Sequence, residues 1–300
     1  MPGARLTPFD TGKHCVDMME DRLQATRFEL KYRVTAQAAV SLRDFLSSYL
    51  VLDEYSAGRP NNSYPIHSIY LDSDDLTIYW DVINSNKNRY KLRIRYYDDH
   101  PASPVFFEIK RRMNDAILKQ RGPVRQEAVP LLLAGHLPEP RHMLSDKAHH
   151  LGAVQQFCRL MFEARAVPKT HVAYLREAWV SATDDFVRVT LDREVCGGPH
   201  FSSLITTKIK DYVMPFEATV ILELKFTGRF PNWFKELVEV FGVMQCGAAK
   251  YADSVFLLQE HRLNPNYFPF ERADVVEKFL DRRTSRDMIR NHPKPESFLT

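Results

Sequence analysis

The chain has 300 residues, 44% hydrophobic and 26% charged with only 11 glycines, an ordinary globular composition that excludes a collagen-like, disordered or disulfide-stapled design. A formal net charge of +3 excludes a uniformly basic coat for nucleic acid, so positive charge matters only where it is local. The cysteines Cys15, Cys158, Cys196 and Cys246 form no CxxC pair, and no run approaches the roughly 20 apolar residues of a membrane helix; the expectation is a cytoplasmic protein with reduced thiols, no transmembrane segment and no nucleic-acid partner.

Residues 1–26 mix Pro, Gly, Asp and Met without a period and read as an arm before the fold. Order starts at RFELKYRV, where Phe28, Leu30, Tyr32 and Val34 alternate with Arg27, Glu29, Lys31 and Arg33, the period of a half-buried strand. Thr35 then caps a helix reaching about Tyr49, carried by Ala39, Leu42, Phe45, Leu46 and Tyr49 at helical spacing. EYSAGRPNNSYP is loop chemistry, IHSIYLDS is a second strand, and LTIYWDVI reads equally as helix or strand. YKLRIRYY, VFFEIKRR and ILKQR follow as consecutive antiparallel strands separated by DDHPASP and MNDA. After LLLAGHLPEP, a connection with two prolines, an amphipathic helix runs from Asp146 to about Ala166. HVAYLREAWV, DFVRVTLD and TVILELKF return to strand, and PNWFKELVEVFGV is a helix opened by Pro231. A short helix around Val275 to Leu280 and a basic, solvated tail, FLDRRTSRDMIRNHPKP, come last. The tally is about eight strands with helices between them: an arm over 1–26, a main domain over 27–262, and a C-terminal helix and tail over 263–300.

Several strands carry charge at matching parity: Glu29 with Lys31, Lys91 with Arg93 and Arg95, Glu108 with Lys110, Lys119 with Arg121, and Glu223 with Lys225; Arg176 and Arg188 add cations in two more. Strand side chains alternate between faces, so each set forms a row opposite an apolar face. Two geometries satisfy that pattern. In one, an open sheet turns its cations to water; in the other, the strands close into a barrel, apolar faces outward under the helices and charged faces meeting in the lumen. Cations crowded in a lumen need a polyanion, whose phosphates satisfy Arg and Lys donors while a few carboxylates hold a divalent metal. No GxxxxGK phosphate loop occurs, so strand cations would take that task. His149 and His150 are adjacent on a helix and point apart as exposed residues, and Trp80, Trp179 and Trp233 read as core or helix-packing residues rather than stacking platforms.

In this order and parity, RFELKYRV, YKLRIRYY, VFFEIKRR, ILKQR, AYLREAW, VRVTLD, ILELKF and a late AKY resemble the VTC domain, the polyphosphate polymerase domain of the vacuolar transporter chaperone complex, within the triphosphate tunnel metalloenzyme (CYTH-like) superfamily. The resemblance covers roughly Arg27 to Glu260. It implies an α+β fold: an eight-stranded antiparallel β-barrel, or triphosphate tunnel, with helices packed outside. The implied activity is transfer of the terminal phosphate of ATP to a growing inorganic polyphosphate chain with Mn2+ or Mg2+. Carried over residue by residue, Lys31, Arg93, Arg95, Lys110, Lys119, Arg176, Arg188 and Lys250 would contact phosphates, with Arg121 and Tyr174 beside them, and Glu223 would hold the metal. One departure is Ala249, where the family often has Ser or Thr before the late lysine. The family's inositol-phosphate-binding domain and membrane helices have no counterpart, so the expectation is a stand-alone catalytic domain. A membrane-protein partner and the oligomeric state stay open. So do two alternatives: an inorganic or nucleoside triphosphatase of the same fold, and a non-catalytic polyphosphate-binding module.

Overall fold

The computed structural model describes residues 27–264 apart from 115 and 185; the expected arm over 1–26, Cys15, the helix near Val275 and the basic tail lie outside the described residues. Among the described residues the alternating segments form strands β1 (Arg27–Val34), β2 (Val51–Leu52), β3 (Tyr64–Asp72), β4 (Asn88–Tyr96), β5 (Val105–Met113), β6 (Ala116–Val124), β7 (Val167–Val180), β8 (Val187–Pro199) and β9 (Val220–Thr227). The helices are α1 (Ala36–Ser47), α2 (Thr77–Ile83), α3 (Val129–Leu133), α4 (Ala148–Glu163), α5 (Asn232–Val240) and α6 (Lys250–Leu258). Thr35 caps α1 as its sequence suggests, its side chain accepting from the Ala38 N–H. Pro231 stands just before α5. Two readings change: LLL of the supposed connection ends a helix, α3, and the two-residue β2 takes the strand count to nine.

LTIYWDVI becomes helix α2 for a reason remote from its own pattern. The buried carboxylate of Asp72 accepts the N–H groups of Ile78 and Tyr79 at 2.9 and 2.8 Å, supplying the donors' partners that the first turn otherwise lacks. Burial raises the Asp72 carboxyl to about 6 even though these groups and the Tyr251 hydroxyl, 2.7 Å away, stabilise its anion.

All pairings are antiparallel, in the order β1-β9-β8-β7-β3-β4-β5-β6, with β2 on β7. The expected closed barrel is corrected here: β1 and β6 are the edges of the eight-strand path, and no backbone ladder joins them among the described residues. The free side of β1 is instead engaged by the segment leading to α6, through a Tyr32–Gln245 bridge and the Cys246 N–H to Lys31 O at 2.8 Å. The sheet nevertheless curls until β5 reaches β1 by side chains, Lys110 Nζ lying 3.0 Å from Glu29 Oε2.

The apolar faces point outward under helices. Leu92, Ile94, Phe107 and Ile109 pack beneath Val154, Phe157, Leu160 and Met161 of α4, and Tyr32, Val34, Leu222 and Leu224 pack with Leu42 and Leu46 of α1 and Phe234 and Leu237 of α5. Each fully buried aliphatic or aromatic side chain contributes about 1.5–3 kcal/mol. Helix α6 lies differently, across one end of the concave face. Tyr251 stacks on Tyr70 of β3 with ring centroids 4.8 Å apart, and a Cβ on Gly197 of β8 would come within 2.3 Å of Ser254 Oγ, so only glycine lets the helix sit so close. None of the described helices is long and apolar enough to cross a membrane.

Candidate active site

Register turns the parity of the sequence into a lined concavity. On one half, Lys31 stands opposite Glu223, Glu29 and Arg188 opposite Lys225, Thr190 opposite Glu223, and Arg176 opposite Asp192. On the other half, Tyr70, Arg93, Glu108 and Arg121 follow one another across β3 to β6, with Lys91, Lys110 and Lys119 in the next row. Lys250, the first residue of α6, completes the set from the covered end.

These charges are gathered by carboxylates. Fully buried Glu108 accepts Arg93 Nε at 2.7 Å and has Arg95 and Arg121 within 4 Å. Lys119 Nζ lies 2.7 Å from the other oxygen, Glu108 Oε1. Glu223 meets Lys250 at 3.0 Å, Arg176 at 3.3 Å and Lys31 at 3.5 Å, and touches Lys225. Asp192 accepts both Arg176 Nε and NH2 at 2.7 Å and lies 2.7 Å from Lys250 Nζ. Glu29 joins Lys31 to Lys110. Tyr174 accepts from Arg95 NH2 at 3.1 Å and places its ring under the Arg176 guanidinium and the Lys250 ammonium. Arg188 is held at 2.7 Å by Asp53 from the loop after β2.

Burial disfavours the charged form of the carboxyls and lysines named next, and the neighbours decide the outcome. For Glu108, Glu223, Asp192 and Glu29 the surrounding cations win and hold the carboxyls below the usual range. Arg93, Arg176, Lys250 and Lys31 are likewise held charged by carboxylates. Desolvation wins elsewhere: it pulls Lys119 down to about 7 and both Lys91 and Lys225 down to about 8. For Tyr70 burial acts upward, but Arg93, Lys91 and Arg95 overcome it and bring the phenol down to about 8.

The structure therefore assembles on one face all eleven residues singled out from the sequence: Lys31, Arg93, Arg95, Lys110, Lys119, Arg121, Tyr174, Arg176, Arg188, Glu223 and Lys250. Arg121 and Arg188 sit toward the rim, the former 48% exposed. Residues to which the sequence gave no role stand beside them: Asp192, Tyr70 and Asp53. Asp192 is four residues after Arg188, on the same strand face, and that spacing was the one available signal. His149 is exposed as expected, whereas His150 is half-buried against Ser145 Oγ. Ala249 presents no hydroxyl; its N–H donates to Asp253 Oδ2 at the start of α6.

No three His, Cys, Asp or Glu side chains converge as a metal cage among the described residues. Both oxygens of Glu223 face cations, so this donor set fits a divalent metal only when phosphate oxygens and water supply most of its ligands, which is how Mg2+ is commonly held.

The VTC domain family matches residues 26–259. The chain belongs to that family. Its VTC domain spans the whole described sheet, α1 to α6 and the lined concavity. No curated protein sequence matches the chain. Among solved structures it is similar to a Bacillus halodurans protein described as a candidate adenylate cyclase, at 14% identity and a TM-score of 0.43, over 75% of this chain and 94% of that one.

Proposed function

We propose that this VTC domain is a polyphosphate polymerase that transfers the terminal phosphate of ATP to a growing inorganic polyphosphate chain. The observation that carries the reading is the convergence of Lys31, Arg93, Arg95, Lys110, Arg176 and Lys250 on one concave face, with Lys119, Arg121, Tyr174 and Arg188 around them. Phosphoryl transfer asks little covalent chemistry of a protein; positioning and neutralisation of the transferring group supply most of the acceleration. Arginines at Arg93, Arg95 and Arg176 offer planar, two-pronged contacts to phosphate oxygens, while lysines at Lys31, Lys110 and Lys250 offer compact charges to successive phosphates of a chain. Each cation already has a carboxylate partner, so an incoming polyanion exchanges one anionic partner for another rather than meeting bare charge. Glu223 is the residue to hold Mn2+ or Mg2+, which when bound supplies further neutralisation of the phosphate and leaving-group oxygens. The acceptor phosphate is itself the nucleophile, so no side chain has to be one.

Incubation of the purified protein with ATP and Mn2+, with products resolved on a gel, tests this directly. Long chains are expected. Free phosphate without chains would replace the polymerase by a triphosphatase of the same fold, and neither product would leave a non-catalytic polyphosphate-binding module.

A further inference from the structure

Away from α6, at the opposite end of the concave face, the lining changes from charge to aromatic rings. Tyr55, Tyr64, Tyr97 and Phe106 form an unbroken chain with successive ring centroids 6.0, 6.3 and 6.2 Å apart. Four separate segments supply them: Tyr64 begins β3, Tyr97 follows β4, Phe106 lies near the start of β5, and Tyr55 comes from the loop after β2. Tyr64 is buried, Tyr97 and Phe106 are half-buried, and Tyr55 is 57% exposed, so the chain rises from the wall of the concavity to its lip.

The rim is continuous with the phosphate-contacting residues proposed above. Tyr97 stands two residues after Arg95, just past the end of β4, and Phe106 two residues before Glu108 on the same face of β5, about 7 Å along that strand. Two cations are built into the ring chain: the Arg121 guanidinium lies 4.9 Å from the Phe106 centroid, and Arg188 NH2 reaches Tyr64 Oη at 3.5 Å. Half-exposed rings interleaved with arginine form the surface on which a heteroaromatic base stacks, with its attached phosphates drawn toward the charges behind. Inorganic phosphate chains have no group that rings could bind.

We infer that Tyr55 and Tyr97, backed by Phe106 and Arg121, form a nucleobase seat at the lip of the concavity. It takes a nucleoside triphosphate with its base outward and its triphosphate toward Arg93, Arg95 and Arg176. The inference rests on the phosphate-binding reading of the concave face. It adds that nucleotide and inorganic triphosphate are told apart by these rings, not by the cations.

Calorimetric titration of the full chain with ATP and, separately, with inorganic triphosphate tests it. In Tyr55→Ala and Tyr97→Leu the dissociation constant for ATP is expected to rise about tenfold, the usual worth of a stacked base, while that for triphosphate stays within about twofold. Tyr97→Phe keeps the ring and is expected to keep ATP affinity. Unchanged triphosphate binding in the variants also reports that the fold is intact. ATP binding unaltered in both ring-deleted variants, or ATP and triphosphate weakened alike, would overturn the seat alone. A wild-type protein that binds neither compound would instead remove the phosphate-binding reading beneath it.

Discussion

Glu108→Gln isolates the role of the carboxylate at the centre of the cation-rich half of the concavity. Four cations lie within 4 Å of it, but they do not count equally: Lys119 and Arg121 are 43% and 48% exposed, so water screens their share. The cost therefore rests on Arg93 and Arg95, whose side chains are 16% and 8% exposed. Breaking a buried pair from one side costs about 3–5 kcal/mol. Arg93 retains Tyr70 Oη and Arg95 retains Ser68 and Tyr174, so the lower end, about 3 kcal/mol, is expected. For a domain of this size that lowers Tm by about 6–12 °C. Inorganic triphosphate at a hundredfold excess over its Kd adds about 2.7 kcal/mol to the wild type, and it is expected to add more to the variant, because its phosphates replace the lost counter-charge. Thermal melts with and without triphosphate measure both quantities. A variant melting within about 2 °C of wild type, or gaining the same increment from triphosphate, refutes the argument. pH gives a second check. Glu108 is held below its ordinary 4.5, so its contribution is complete above that value and disappears as pH falls through the folded one; the difference between the proteins should vanish in strong acid.

Lys119, Lys91 and Lys225 are pulled from 10.5 to about 7 and 8, so between there and 10.5 the unfolded chain binds more protons and the ligand-free protein should gain stability as pH rises; triphosphate affinity should fall over pH 7 to 9, and titrations in which it is flat would exclude these lysines as phosphate ligands. Gly197→Ala forces Ser254 and α6 outward and displaces Lys250; triphosphate affinity should drop about 10- to 150-fold, the worth of one charged contact, and unchanged affinity would place Lys250 outside the site. Glu223→Gln should raise the Mn2+ concentration needed for half-maximal turnover, and an unchanged metal titration would remove Glu223 as the ligand.

What was legible in the sequence follows from range. Parity within a strand is local, so the shared faces of Glu29 and Lys31, or Arg93 and Arg95, could be read directly, as could the Thr35 cap. Pairing between strands is not local. That Glu108 would collect Arg93 and Lys119, or Asp192 hold both Arg176 and Lys250, depends on registers set by residues far along the chain. Helix α2 shows the same limit, because its first turn is satisfied by Asp72, itself fixed by Tyr251 from α6. Lys250 was found through the family resemblance, but its place at the head of a helix across the concavity was not, since KYADSVFLL gives no clean helical stripe. Closure of the barrel also failed as an expectation, and the side-chain contact of Lys110 with Glu29 shows how near β5 comes to β1 without a ladder closing the sheet.

The partnership of β1 with β9 also sets an order of events in folding. Arg27 pairs with Thr227 and Lys31 with Glu223, so the first described strand to be synthesised waits for the last before it has a neighbour. Closing so long a loop is entropically slow, and contacts of such high sequence separation form late. The other hairpins, β4 with β5 and β5 with β6, join residues only a few positions past a turn and need no such wait. Lys31 therefore meets Glu223 in the step that completes the sheet, and a nascent chain that has not yet emerged past β9 carries every proposed phosphate-contacting cation except Lys250 but no enclosed place for a polyanion.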